Sequence, residues 1–119
     1  MRDQVDGHEN GANDPESDRE YRNADFSERD LRYRHLENCR FVGCTLANAD
    51  LTAARFNASE FIACDLSGAR VNGTNFFAAT FDQCKLLGWD VREGLNLTAT
   101  TFTGCSLVYA ILRGVNLAK

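Results

Sequence analysis

The stretch Ala49-Asp50-Leu51-Thr52-Ala53 contains in five residues the pattern that decides the fold. A small residue comes first, a polar residue second and a large apolar residue third, which we call the centre. The same spacing extends in both directions along the chain. The centres are Phe26, Leu31, Leu36, Phe41, Leu46, Leu51, Phe56, Phe61, Leu66, Val71, Phe76, Phe81, Leu86 and Val91 and, after a slip of one residue, Leu97, Phe102, Leu107, Leu112 and Leu117.

A period of five matches neither the helical period of 3.6 nor the strand period of 2. It fits a chain that turns a corner every five residues, with the centre and the small residue both pointing inward. Large and small side chains then alternate and fill a narrow bore at close packing. Four corners close a square coil, and successive coils stack like parallel strands, about 4.8 Å apart.

Two columns of side chains at a spacing of about twenty residues support this coil. One column is aromatic and consists of the core centres Phe41, Phe61, Phe81 and Phe102. The other occupies the small inward position and consists of Cys44, Cys64, Cys84 and Cys105. We interpret these thiols as buried small residues, because free cysteine is among the most buried residue types. They lack the short ligand spacing of a zinc site, so we expect neither a metal nor a cofactor.

Charge divides the chain in two. Residues 1–19 hold six acids and two arginines, whereas residues 20–119 hold eleven of each sign. We therefore predict a disordered acidic tail over 1–20 and a repeat domain over 21–119, with a one-residue insertion near 92–96. The start has no apolar stretch like that of a secretory signal. Inward thiols that stay reduced point to a cytoplasmic protein.

Few features of the chain suggest chemistry. No nucleophile stands with a base and an orienting group, and no glycine-rich loop is placed to hold a phosphate. The arginines are spread out and matched by acids, unlike the basic stripe of a nucleic-acid-binding protein. No apolar run is long enough to span a membrane. We therefore expect a non-enzyme that binds a protein partner, with no direct contact to nucleic acid or membrane.

The pattern Ala-(Asp/Asn)-Leu-x-x, from about Ala24 to Leu117, resembles that of the pentapeptide-repeat family. The resemblance implies an all-β fold, a right-handed quadrilateral parallel β-helix of about five coils. A narrower resemblance, to the fluoroquinolone-resistance pentapeptide proteins, lies in Phe81-Asp82-Gln83-Cys84-Lys85-Leu86-Leu87-Gly88-Trp89-Asp90 and in Phe102 to Leu117. That subgroup implies a rod-shaped dimer that imitates duplex DNA and binds DNA gyrase or topoisomerase IV.

Two groups of residues are candidates for partner binding. The first is the insertion, where a bulky indole takes a small inward position, and consists of Trp89, Asp90, Arg92, Glu93 and Leu95. A bulge that relieves the indole explains this irregularity, and a corner re-aimed toward a partner is the alternative. The second group is Asp30 and Asp50, which precede centres on one face, although Arg70 interrupts the row. Outward apolar residues could add an interface if they join into a patch.

Other observations leave the function open. A mimic of DNA should be acidic, and residues 20–119 are neutral. Arg29 and Arg34 occupy small inward positions, so we expect the first coil to be frayed or to act as a polar cap. The chain ends at Lys119 directly after a repeat, which suggests a truncated member, a fragment of a longer repeat protein or an end-to-end homodimer. A structural or protein-interaction scaffold of unknown partner is therefore the alternative to a gyrase-binding protein.

Overall fold

The computed structural model describes residues 3–6, 15–91, 94–106 and 111–112, with the backbone alone at 3–6, 90–91 and 111–112. Within these ranges the chain forms short strands and no helix. The strands are β1 (Asp3–Asp6), β2 (Arg19–Arg22), β3 (Arg40–Val42), β4 (Glu60–Ile62), β5 (Thr80–Asp82), β6 (Asp90–Val91), β7 (Thr101–Thr103) and β8 (Ile111–Leu112). None of the described segments is a helix that could cross a membrane.

Every pair of strands is parallel. One sheet has the order β1-β2-β3-β4-β5-β7, and β6 pairs with β8. Isolated parallel bridges form three further ladders, at positions 25, 45, 65, 85 and 106, at 30, 50 and 70, and at 35, 55, 75 and 96. We number the faces of the coil in chain order, so that β2 lies on the first face and these ladders on the second, third and fourth. The described residues complete about four turns of this solenoid, and the predicted fifth coil lies mainly outside them.

The core consists of the centres and the small residues two positions before them, as the period of five predicts. Leu46, Leu66 and Leu86 are fully buried, whereas Leu107 lies outside the described residues. The aromatic centres stack as nearly parallel rings. Their centroid separations are 5.0 Å for Phe41 and Phe61, 4.7 Å for Phe61 and Phe81 and 5.1 Å for Phe81 and Phe102. Tyr21 extends this column at 5.4 Å, although the sequence pattern did not identify it as a centre.

Where the residue before a centre is an aspartate, an asparagine or a threonine, its side chain stabilises the turn that follows the centre. In coil after coil its side-chain oxygen accepts a hydrogen bond from the backbone amide two residues later. Asp50 Oδ1 accepts from the Thr52 amide at 3.1 Å, and Asn75 Oδ1 accepts from the Phe77 amide at 2.9 Å. Asparagine serves as well as aspartate, because this bond needs an acceptor and not a charge. The bond is not made at every repeat, since Arg55, Arg70 and Lys85 hold the same position and offer no acceptor.

The residue two positions after each centre forms the corner and has a positive φ. A positive φ is found at six glycines and at twelve other residues, Ala53 and Tyr33 among them. All of these except Asp18, Asn23 and Gly94 lie two positions after a listed centre. At Gly68 the φ of 71° is one that a side chain would strain, and a Cβ there would also force the Asn48 amide of the preceding coil to move. The corners therefore explain the five-residue spacing directly, because each one redirects the chain by one face.

The predicted disordered tail over 1–20 is wrong for part of that range. Strand β1 pairs in parallel with β2, with Val5 in register with Tyr21, and β2 itself begins at Arg19. The Ser17 hydroxyl donates to the His35 carbonyl at 2.7 Å, which ties the entry of the chain to the first coil. Composition misjudged this segment because pairing with an open strand edge satisfies backbone groups and needs few apolar side chains.

The two arginines at small inward positions of the first coil are not enclosed in the bore. Arg29 is half-buried, with its guanidinium carbon 5.5 Å from the centroid of the Phe26 ring. Arg34 is exposed. The first coil nevertheless keeps its backbone hydrogen bonds to the second, as between the Leu36 amide and the Arg55 carbonyl at 2.7 Å. These hydrogen bonds contradict the expectation of a frayed first coil, and β1 rather than the first coil itself covers the edge of β2.

Candidate functional site

The third face brings together the two aspartates that the sequence singled out, Asp30 and Asp50, and places Arg70 beside them. Arg32 contacts Asp30 with two nitrogens, Nε to Oδ1 at 2.9 Å and Nη2 to Oδ2 at 3.0 Å. Its Nε also lies 4.0 Å from Asp50 Oδ2. Arg70 Nη1 lies 3.4 Å from the same oxygen of Asp50. Each of the two acids is therefore paired with a base of this face.

Both aspartates are charged at neutral pH. Hydrogen bonds from the Arg32 side chain and amide lower the pKa of Asp30. Partial burial acts to raise the pKa of Asp50, but hydrogen bonds from Thr52 and the charges of Arg70 and Arg32 outweigh it and lower that pKa. The third face thus carries alternating fixed charges rather than a continuous negative stripe.

The third face also holds an open depression of about 570 Å³. Its charged lining residues are Glu28, Arg29, Asp30, Arg32, Asp50 and Arg70. Acids and bases are equal in number there, and the lining holds no nucleophile next to a base. The arrangement suits contact with a surface that presents both signs of charge.

The insertion buries two of the residues predicted to meet a partner. Trp89 is only 1% exposed and Leu95 4%. The Trp89 ring stacks on Phe76 with centroids 5.6 Å apart, and its Nε1 donates to the Leu66 carbonyl at 3.0 Å. These two side chains belong to the core and present no surface to a partner. The side chain of Asp90, and Arg92 and Glu93 as a whole, lie outside the described residues.

The cysteine column lies in the core and uses its thiols as hydrogen-bond donors. Cys44, Cys64 and Cys84 each donate to the carbonyl of an aromatic centre one coil back, all at 3.3 Å. Contacts with Cys44 and Cys84, together with burial, raise the pKa of the Cys64 thiol. Among the described residues, no group of histidine, cysteine and acidic side chains is placed to hold a metal ion.

The fourth face carries the most exposed aromatic side chains of the described surface. Tyr33, at the corner between the third and fourth faces, is 70% exposed, and Phe77 is 45% exposed. Arg34, His35 and Arg55 are exposed on the same face. Sequence reasoning missed Tyr33, although a signal was available, because it is the only aromatic residue among the described corner positions.

The outward apolar residues do not join into one patch on the described surface. Leu87 is exposed on the second face, away from Phe77 on the fourth. Val42 and Ile62 pair in register on the first face and are half-buried. Exposed apolar residues that stand singly are common on protein surfaces and need no partner to explain them. The fourth face differs because Arg34 and Arg55 are exposed on the same face as Phe77.

Taken as a class, this is a parallel β-solenoid with a filled bore, hydrogen-bonded corners and rigid outer faces. The family model described as the pentapeptide repeat region matches residues 17–90 and 34–112. The chain belongs to the pentapeptide repeat family. None of the curated proteins compared with it matches.

Solved structures of the same fold resemble the chain at low identity. HetL, a pentapeptide repeat protein involved in heterocyst differentiation regulation from Nostoc sp. strain PCC 7120, is 25% identical with a TM-score of 0.53, over 83% of this chain and 47% of that one. A pentapeptide repeat protein from the thylakoid lumen of Arabidopsis thaliana is 23% identical with a TM-score of 0.49, and the match covers 68% of this chain and 56% of that one. Full-length QnrB1, a plasmid-mediated fluoroquinolone resistance protein, is 19% identical with a TM-score of 0.29, over 98% and 87%. The chain spans about half the length of the first two proteins.

Proposed function

We propose that this protein is a non-catalytic scaffold that binds a protein partner through its outer faces. The observation that carries the proposal is the pair of exposed aromatic side chains, Tyr33 and Phe77, held outward on a filled and hydrogen-bonded core. Tyrosine and arginine dominate the energetics of protein interfaces, and a rigid scaffold lowers the entropic cost of presenting them. The filled bore leaves the surface as the place where this protein acts.

A cross-linking experiment tests this function. The intact protein, with a photo-cross-linker at Ala53 beside Tyr33 in the corner column, is expressed in its native host, and the captured protein is purified and titrated. We expect Tyr33→Ala to raise the dissociation constant about tenfold, within the range of a tyrosine hot spot. Thr103→Ala on the first face should leave it unchanged. Equal affinity of Tyr33→Ala and the wild type would remove the basis of the proposal.

The thiols support a cytoplasmic location, which is part of the same proposal. All five cysteines are free, and four of them are buried. Reduced thiols persist in compartments kept reducing by glutathione and thioredoxin. Fractionation of the native host with an antibody against the protein tests this, and recovery with the secreted or periplasmic proteins would contradict it.

A second candidate partner is DNA gyrase or topoisomerase IV, bound by imitation of DNA. The successive charged aspartates Asp30 and Asp50 favour it, because a DNA mimic must present rows of negative charge. The pairing of both acids with Arg32 and Arg70 opposes it.

The test of this candidate is an assay of DNA supercoiling by purified gyrase, with and without ciprofloxacin. If the protein binds gyrase, it should change the rate of supercoiling or the inhibition of supercoiling by ciprofloxacin. The double variant Asp30→Asn/Asp50→Asn should abolish that change. No effect of the wild type at micromolar concentration would eliminate this candidate.

A further inference from the structure

We propose that the fourth face is the docking surface, and that its occupant is an acidic segment of the protein partner that also carries an apolar side chain. Arg34 and Arg55 bind the carboxylates of that segment, and Phe77 packs against its apolar side chain. This inference rests on the proposed scaffold function and specifies the partner's chemistry.

The backbone holds the two arginines side by side on neighbouring coils. The Arg55 amide donates to the Arg34 carbonyl at 2.8 Å, and Arg55 is the parallel-bridge partner of His35. In the coils below Arg34, the same position holds the fully buried Ala54 and Thr74. Arg34 is exposed instead, because an arginine cannot enter the bore without a costly loss of hydration. The first coil thereby adds a cation to the fourth face that the repeat pattern would not provide.

The pairing of Arg55 distinguishes this face from the others. On the first face Glu20 lies between Arg22 and Arg40, at 2.7 Å and 3.3 Å. The third face pairs its aspartates in the same way. On the described fourth face the acid is Glu37, whose Oε1 lies 3.9 Å from His35 Nδ1. Among the residues that the structure describes, no carboxylate lies within ion-pair distance of Arg55, so this guanidinium is available to an acid from outside.

The apolar part of the surface lies one coil further along. Phe77 is in the coil after Arg55, and its amide is held by Asn75 Oδ1 at 2.9 Å. Stacked coils are about 4.8 Å apart, so Arg34, Arg55 and Phe77 span roughly 10 Å across three coils. An extended peptide covers that length with about three or four residues. The surface thus has the size of a short linear segment.

The same charges favour a protein segment over a nucleic acid. A nucleic acid needs many cations along its backbone, because each neutralised phosphate contributes to affinity. This face offers two arginines and His35, with Glu37 among them and Asp30 on the adjoining face. A polyanion would meet both acids, whereas a peptide with two carboxylates and one apolar residue can avoid them.

Selection from a random dodecapeptide library displayed on phage, against the immobilised intact protein, tests this surface. We expect enriched peptides to carry at least two acidic residues and an aromatic or aliphatic one. The double variant Arg34→Glu/Arg55→Glu should weaken their binding at least tenfold, and Phe77→Ser should weaken it as well. Lys85→Glu reverses an exposed cation on the second face and should change nothing. Circular dichroism and the thermal midpoint establish that each variant is folded.

Three outcomes would overturn the inference. If enriched peptides keep their affinity for the Arg34→Glu/Arg55→Glu protein but lose it for Asp50→Asn, another face is the docking surface and the scaffold function stands. If no peptide is enriched, and the cross-linked partner depends on Tyr33 but binds the Arg34→Glu/Arg55→Glu protein as tightly as the wild type, the arginines of the fourth face are not the docking surface and the scaffold function again stands. If a fluorescent oligo-dT probe binds at physiological salt with the same arginine dependence, the face binds nucleic acid instead.

Discussion

Trp89 occupies the column position that Ala49 and Ala69 hold in the two coils before it, and the core accommodates it without exposing the ring. Three contacts explain how. The indole stacks on Phe76, meets Phe81 edge-on and donates its N–H to the Leu66 carbonyl. Elsewhere in the core, thiols and hydroxyls at this type of position make the equivalent hydrogen bond. The indole therefore makes the same kind of hydrogen bond as the smaller residues at this type of position, but its volume is much larger than theirs.

Replacing this indole should produce one of the largest losses of stability of any single change in the chain. We expect Trp89→Ala to lower the free energy of unfolding by about 3–5 kcal/mol, because it leaves a cavity and removes a buried donor. Trp89→Phe keeps the stacking and should lose about half as much. Urea unfolding followed by circular dichroism measures both. A loss below about 1 kcal/mol for Trp89→Ala would mean that the ring is not packed as described.

At the scale of one turn, the polar residue before the centre has two separable roles. Asp50 accepts hydrogen bonds from the Thr52 amide and hydroxyl, and its second oxygen faces Arg70. Asn75 and Asn96 accept the same amide bond with no charge. Substitution of Asp50 can therefore separate the contribution of the turn's hydrogen bond to stability from that of the ion pair with Arg70.

We expect Asp50→Asn to cost little at pH 7 and Asp50→Ala to cost about 0.5–1.5 kcal/mol, because only alanine removes the acceptor. The folded-state pKa of Asp50 is lowered. Its charge therefore stabilises the fold fully above the unfolded pKa of about 4 and stabilises it less as the pH falls below that value. Asp50→Asn should accordingly lose less stability than the wild type between pH 5 and pH 3. Urea midpoints across this range measure it, and equal losses for both variants at pH 7 would contradict the assigned role.

Among the strands, β1 has the role of covering the edge of the first sheet. It continues the first sheet beyond β2 and satisfies backbone groups that would otherwise form an open edge. Open parallel edges recruit further strands, so a solenoid needs a cap at its end. β1 provides that cap from a segment rich in charged residues.

Deleting residues 1–6 should expose this edge. We expect the amides of Arg19–Arg22 to exchange with deuterium at least tenfold faster, because opening then requires only local fraying. The amides of Glu60–Ile62, in the middle of the sheet, serve as the internal control. Hydrogen exchange with mass spectrometry measures both segments. Unchanged exchange at Arg19–Arg22 would show that β1 does not protect the edge in solution.

For the molecule as a whole, the sequence predicted the core far better than the surface. The period of five identified every described centre from Phe26 onward, because the narrow bore admits only one arrangement of large and small side chains. It missed Tyr21 and β1, because both lie where the polar composition hides the pattern. It also assigned Trp89 and Leu95 to a partner, because spacing alone does not reveal that the core can absorb an indole. Outer faces obey no such packing constraint, so the fourth face became apparent only from exposure and pairing.

The aromatic column differs at its two described ends, and this difference predicts how copies associate. β1 covers the first end, whereas Phe102, the last described ring of the aromatic column, is only half-buried. We expect copies to pair on the side of the solenoid that follows Phe102, giving a dimer of twice 13.2 kDa and roughly double the 36 Å long axis. Light scattering after size exclusion and small-angle X-ray scattering measure mass and length. Phe102→Gln should shift the equilibrium toward monomer, whereas Thr80→Gln on a side face should not. A monomeric wild type at about 100 μM would contradict end-to-end pairing.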